Sequence, residues 1–188
     1  MTISVSLART LTKEEREALQ RYGADSTYLH AFAQRCEGNL QHHPSYADEW
    51  TKLAGQIRGL DSAIAISTLD SDAILYSAQP VGFGTRGSFV GSPATFIGIT
   101  YRYPGFTSTS TSTEFRDRFL SKRRDAASRP TTLEFHLPAG WNAIDLSHGG
   151  HSGEFELLLA RDKPYEVIDA TYVDGDVLNL VLQPSTNT

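Results

Sequence analysis

Apolar residues recur every third or fourth position in the first third of the chain. Beyond it they come in short, dense runs. In "TKEEREALQRYG" Thr12 is followed three residues later by Glu15, a capping box that predicts a helix closing near Gly23. A second helix is predicted around Tyr28, Leu29, Phe32 and Ala33. The third is the clearest, because Tyr46, Trp50, Leu53, Ile57, Leu60 and Ile64 fall on one helical face. After Asp70 the pattern changes. "AILYSAQP", "TTLEFHLP", "FELLLA", "YEVIDATYV" and "VLNLVLQP" are rich in β-branched and aromatic residues and are bounded by Gly, Pro and Asp, which predicts strands. Asp174-Gly175 between the last two reads as a hairpin turn. Only "TEFRDRFLSKRRD" among the later segments reads as helix. Helices first and strands afterwards predict an α+β protein, with N-terminal helices packed on a twisted, mainly antiparallel sheet. The expectation is a single domain over residues 1–188, with a helical part at 1–69 and a β-rich core at 70–188. No internal repeat is visible.

Composition narrows the function classes. The chain has 188 residues, 39% of them hydrophobic and 21% charged, which suits a folded globular protein. Its formal net charge of -5 gives no reason to expect nucleic acid or an anionic membrane as a partner. A single cysteine, Cys36, excludes an internal disulfide and a thiolate-rich metal site. No apolar run is long enough to span a bilayer, and "MTISVSLARTLTKEE" shows no Sec-type signal. The expectation is folding in a cytoplasm, with export by a specialised secretion machine left open.

Two segments carry candidate chemistry. In "GFTSTSTSTEF" a run of alternating Thr and Ser occupies Thr107 to Thr113. Such a tract is commonly a loop or linker. Its placement between strand patterns, directly after "PGF", argues instead for a strand whose hydroxyls donate and accept hydrogen bonds in a cleft. In "HGGHSGEFELLLA" Glu154 and Glu156 stand two apart at the start of an apolar strand, so both carboxylates share one face. An isolated pair of this kind is more often a solvated strand face. The glycine-rich approach reads as a mobile loop leading into a site. His148 and His151 flank that loop, and without a third ligand nearby they read as surface histidines and not as a metal site.

Taken in order, these segments resemble the mono-ADP-ribosyltransferases, in the branch marked by an arginine, a Ser-Thr-Ser strand and a Glu-x-Glu pair. "LTKEEREALQRYGADSTYLHAF" is similar to the family's opening helices. "ILYSAQP" resembles the strand that normally ends Tyr-Arg-Gly, "GFTSTS" the Phe-x-Ser-Thr-Ser strand, and "GEFELLL" the Glu-x-Glu strand. The resemblance implies the ADP-ribosyltransferase-like split-sheet fold, NAD as substrate and a protein as acceptor. It implies that Ser108, Thr109 and Ser110 line the NAD cleft, with Phe106 fixing the frame and Thr111 to Thr113 forming the exit. Ser108 would hold Glu156, whose carboxylate stabilises an oxocarbenium-like transition state. Glu154 would serve the acceptor, and a glutamate there goes with arginine.

One position departs from the pattern. The arginine that grips the NAD phosphates falls at Ser77, and the glycine after it is Ala78. A serine supplies a hydrogen bond but no charge. Arg86 in "GFGTRGSF" is the candidate replacement, with Arg102 a poorer one. Two other readings therefore stand beside the transferase: an NAD glycohydrolase that uses water as acceptor, and a non-catalytic interaction module on a degenerate fold. The family also implies a bacterial or phage effector or toxin acting in a host or competitor cytosol.

Overall fold

Thr12 and Glu15 form the capping box that their spacing predicts. The Thr12 amide donates to Glu15 Oε2 at 2.7 Å, and the Glu15 amide donates to Thr12 Oγ1 at 3.2 Å. They open helix α1, Lys13–Ala24, in a computed structural model that describes residues 3–24, 26, 29, 47–79, 92–114, 117, 131–150, 156–173 and 177–186. The described chain forms two compact units. One comprises Met1–Ser71, Tyr103–Ser108 and Ala139–Asp162, and the other Asp72–Arg102, Thr109–Pro138 and Lys163–Thr188.

The first unit holds strand β1 (Val5–Leu7), helices α1 and α2 (Ala47–Ala65), and strand β2 (Ser67–Leu69). Later in the chain it adds β7 (Ala143–Asp145) and β8 (Glu156–Leu159). β1 pairs with β2 and β7 with β8, both antiparallel. The predicted apolar face of α2 is the one it buries: Ile57, Leu60 and Ile64 join Ala18, Leu19 and Tyr22 of α1, with Phe106, Ile144, Leu146 and Leu158. The helices approach closely at Gly59, where a Cβ would come within 2.8 Å of the Ala18 Cβ. A second network fixes the start of α1. The buried Glu15 carboxylate accepts two hydrogen bonds from Arg9 and one from Ser62 of α2.

The second unit is a sheet with strand order β4-β9-β10-β6-β3-β5. Its members are β3 (Ala73–Gln79), β4 (Thr100–Arg102), β5 (Thr107–Ser110), β6 (Thr131–Leu137), β9 (Pro164–Val173) and β10 (Val177–Pro184). The residues of β5 divide between the units, Thr107 and Ser108 with the first and Thr109 and Ser110 with the second. All pairings in this sheet are antiparallel except β6 with β10, which is parallel. Leu75, Leu133, Phe135, Val167, Leu180 and Leu182 are buried in it, and Phe135 meets Tyr165 edge-on at 5.0 Å.

The α+β class and the largely antiparallel pairing are as expected. The longer strands fall where the sequence puts them, and β9 and β10 pair as a hairpin around Asp174-Gly175, which itself lies outside the described residues. Of the predicted helix around Tyr28, Leu29, Phe32 and Ala33 only Leu29 is described, helical and buried in the core of the first unit, and the rest, with most of "TEFRDRFLSKRRD", lies outside the described residues. Four three-residue strands, β1, β2, β4 and β7, were not predicted, because three residues show too little alternation to register. Among the described residues no helix is long and apolar enough to cross a membrane.

Candidate active site

Phe106 is buried in the core of the first unit and anchors the chain just before β5. Two residues on, Ser108 lies half-buried between Thr107 and Thr109, which are 5% and 0% exposed. That burial rules out a solvated linker. The tract leaves the strand through two serine turns, in which Ser110 Oγ accepts from the Ser112 amide and Ser112 Oγ from the Glu114 amide, each at 3.1 Å. Thr111 to Thr113 therefore form the exit from the strand.

The Ser108 hydroxyl lies 2.8 Å from the phenol oxygen of Tyr22 on α1. Tyr22 is 2% exposed and presents its ring edge-on to Phe106 at 6.4 Å. Burial pushes the Tyr22 phenol well above its usual range. The Ser108 hydrogen bond pulls the other way, and electrostatic repulsion from the Glu156 carboxylate, with a smaller contribution from Tyr103, adds to the rise. Burial likewise raises the Tyr103 phenol. Glu156 opens β8 half-buried, ahead of the buried Leu157, Leu158 and Leu159. The first unit thus gathers a serine hydroxyl, a buried phenol and a carboxylate whose charge the phenol feels.

The start of the glycine-rich segment, up to Gly150, is less loop-like than its glycines suggest. Leu146–Gly149 forms a 3-10 turn capped by Asp145, whose carboxylate accepts from the Ser147 amide at 2.7 Å. Gly149 is pressed on α1, where a Cβ would come within 2.8 Å of the Leu19 Cβ, and Gly150 takes a left-handed φ of 89°. The expected mobile loop is therefore anchored through its first half. His148 is exposed at the end of that turn. Glu154, His151 and Arg86 lie outside the described residues. Among the described residues no group of three or more His, Cys, Asp or Glu could hold a metal ion.

Ser77 sits on β3 of the second unit, 6% exposed and opposite Leu133 of β6. Its neighbour Tyr76 pairs with Ser110, so Ser77 lies beside the Ser/Thr strand, one residue out of that register. Arg102 is on β4, five places from β5 in the strand order. Five strand spacings amount to roughly 24 Å, out of reach of β5 for any side chain. Tyr22 was missed by sequence reasoning. It falls on the apolar stripe of α1 with Ala18 and Leu19, where an aromatic reads as core, and only its hydroxyl sets it apart.

The profile of the family described as ADP-ribosyltransferase exoenzyme matches residues 3–186. No curated protein matches the chain in sequence. Three solved structures show the same fold. The Clostridium limosum C3 exoenzyme superposes with a TM-score of 0.71 at 17% identity, over 94% of this chain and 87% of that one. C3stau2 from S. aureus, solved with NAD, gives 0.64 at 19% identity, over 93% and 87%. The ADP-ribosyltransferase Vis, solved in complex with agmatine, gives 0.65 at 16% identity, over 97% and 79%.

Proposed function

The chain belongs to the ADP-ribosyltransferase exoenzyme family and is an NAD-dependent mono-ADP-ribosyltransferase, and we propose that it modifies an arginine side chain of a target protein, with Glu156 as the catalytic carboxylate. The observation that carries this reading is the cluster of Tyr22, Ser108 and Glu156. Ser108 and Glu156 belong to the two motifs on which the resemblance rests, and their meeting around Tyr22 supports the reading.

The chemistry follows from charge. Transfer breaks the bond between C1′ of the ribose and the nicotinamide nitrogen. Nicotinamide departs with the bonding electrons, and positive charge develops on the sugar ring. Glu156 accepts a hydrogen bond from the ribose 2′-hydroxyl and stabilises that charge from the adjacent carbon. The acceptor nitrogen then attacks C1′ and loses a proton, for which Glu154 is the assigned base and orienting group. A carboxylate is the natural partner of a guanidinium. Agmatine, bound by Vis, carries that same group.

Ser108 is the residue of the Ser/Thr strand that meets the reacting end of NAD. Thr109 and Ser110, almost fully buried, contribute by holding the strand in place. Ser77 offers the phosphates a hydroxyl, and Arg86 supplies the charge that Ser77 lacks. A toxin or effector role, with a protein of another cell as target, fits the family and its C3-type structural relatives.

Nicotinamide release from NAD, measured with and without cell lysate as acceptor, tests the assignment on wild type and Glu156→Gln. The amide keeps the shape and loses the charge. Release is expected to fall by about a hundredfold to a thousandfold, with an unchanged circular dichroism spectrum. Undiminished turnover would remove Glu156 from the reaction. Release that lysate does not speed, with the ADP-ribose passing to water and none to protein, would favour the glycohydrolase reading.

A further inference from the structure

We propose that Tyr22 is a positioning residue for the reaction: its phenol donates to Ser108 Oγ and so directs the serine's own proton toward the Glu156 carboxylate. This rests on the reading of Glu156 given above.

The phenol is held by its surroundings. Tyr22 is 2% exposed, and its ring is part of the helix core and meets Phe106 edge-on. α1 itself is fixed on two sides, at Gly59 against Ala18 and at Gly149 against Leu19. A phenylalanine would fill the same space without burying a hydroxyl, so the oxygen needs a reason to be there. That oxygen lies 2.8 Å from Ser108 Oγ.

Hydrogen-bond capacity sets the direction of the chain. An ionised carboxylate only accepts, and a serine has one proton and two lone pairs. Ser108 serves Glu156 by giving it that proton, and it then accepts from the phenol. The order is Tyr22 to Ser108 to Glu156, each bond polarising the next. The charge of Glu156 and the burial of the ring both oppose ionisation of the phenol, which therefore keeps the proton it donates. The result is a serine with one orientation. The carboxylate is set before the ribose arrives.

The full-length chain carrying Tyr22→Phe, Ser108→Ala, both changes, or Glu156→Gln is assayed for nicotinamide release, with NAD affinity and thermal midpoint measured alongside. Tyr22→Phe is expected to lower kcat about tenfold while KM for NAD changes less than about twofold. Ser108→Ala is expected to lose at least as much, and the double variant no more than Ser108→Ala alone. Ile57→Val, which loosens the same core from α2 and removes no hydroxyl, is expected to keep kcat and so separates positioning from general destabilisation. Wild-type kcat in Tyr22→Phe, a loss confined to KM, or losses that multiply in the double variant would overturn the proposal. If Glu156→Gln is inactive while Tyr22→Phe is unimpaired, only the tyrosine's role falls. A fully active Glu156→Gln removes the reading beneath it.

Discussion

Arg9 grips the buried carboxylate of Glu15 with both arms of its guanidinium, at 2.6 and 2.8 Å. The same carboxylate caps α1 at Thr12 and accepts from Ser62 of α2, so one side chain joins the segment before α1 to both helices. Those helices carry Tyr22 and the core beneath Ser108. The integrity of the site therefore depends on a charge with no part in the chemistry.

The network predicts a particular acid sensitivity. The Arg9 hydrogen bonds, with those of Ser62 and Thr12, hold the Glu15 carboxyl at about 2, against an ordinary value of 4.5. A depressed folded-state value contributes stability above the unfolded value, and that contribution is lost as pH falls from about 4.5 toward 2. Glu15→Gln is expected to cost roughly 2 kcal/mol at pH 7, toward the low end for a charge-assisted network because Arg9 is 44% exposed. Urea denaturation at pH 7 and pH 3 checks this, with the gap between wild type and variant narrowing at the lower pH. A gap independent of pH would show that Glu15 acts through packing alone.

Gly149→Ala is expected to be costly for its size. The added methyl would stand 2.8 Å from the Leu19 Cβ and 3.0 Å from the Gln20 amide nitrogen, neither of which can swing aside. Overpacking of this kind costs about 1–3 kcal/mol. Gly55→Ala, with nothing within 4 Å, is the control and is expected to be neutral or slightly stabilising. Equal thermal midpoints for the two variants would refute the close contact.

Glu154→Gln is expected to suppress modification of protein while sparing slow hydrolysis of NAD, since the residue is assigned to the acceptor. Both activities are read in one reaction, as labelled protein and as free nicotinamide. Parallel loss of the two would move Glu154 to NAD binding or to the structure of its segment.

The position of the family arginine is open to a direct test. Arg86→Ala is expected to weaken NAD binding by about 1.5–3 kcal/mol, the range for a hydrogen bond to a charged group. Ser77→Arg is expected to restore part of that loss through a bidentate contact, less the strain of placing a long side chain at a site only 6% exposed. Calorimetry on both single variants and the double closes the cycle. No change of NAD affinity in either single variant would mean that the phosphates are held elsewhere.

Features with strong local causes were legible in the sequence. Ile57, Leu60 and Ile64 mark the buried stripe of α2 by spacing alone, and Thr12 with Glu15 announces the start of α1. β9 and β10 are long enough for their patterns to register. The short strands β1, β2, β4 and β7 owe their existence to partners and not to their own residues. The strands of Ser108 and Glu156 were suggested by their neighbouring patterns, but the roles of the two residues were legible only through family order, since each motif alone has a bland alternative. Tyr22 was not legible at all. Its hydroxyl gains meaning from Ser108, 86 residues further along, and no local pattern encodes that meeting.

β10 lies between β9 and β6, and it runs parallel to β6, which precedes it by a long stretch of chain. During synthesis, then, the second unit's sheet cannot close until residues 177–184 have left the ribosome. β3 and β6 wait as a partial sheet whose open edge is the one β10 will cover. Parallel, long-range pairing is also slow to form. The nascent chain thus passes through a stage with an exposed strand edge and an unfinished second unit, a natural point for a chaperone to hold it.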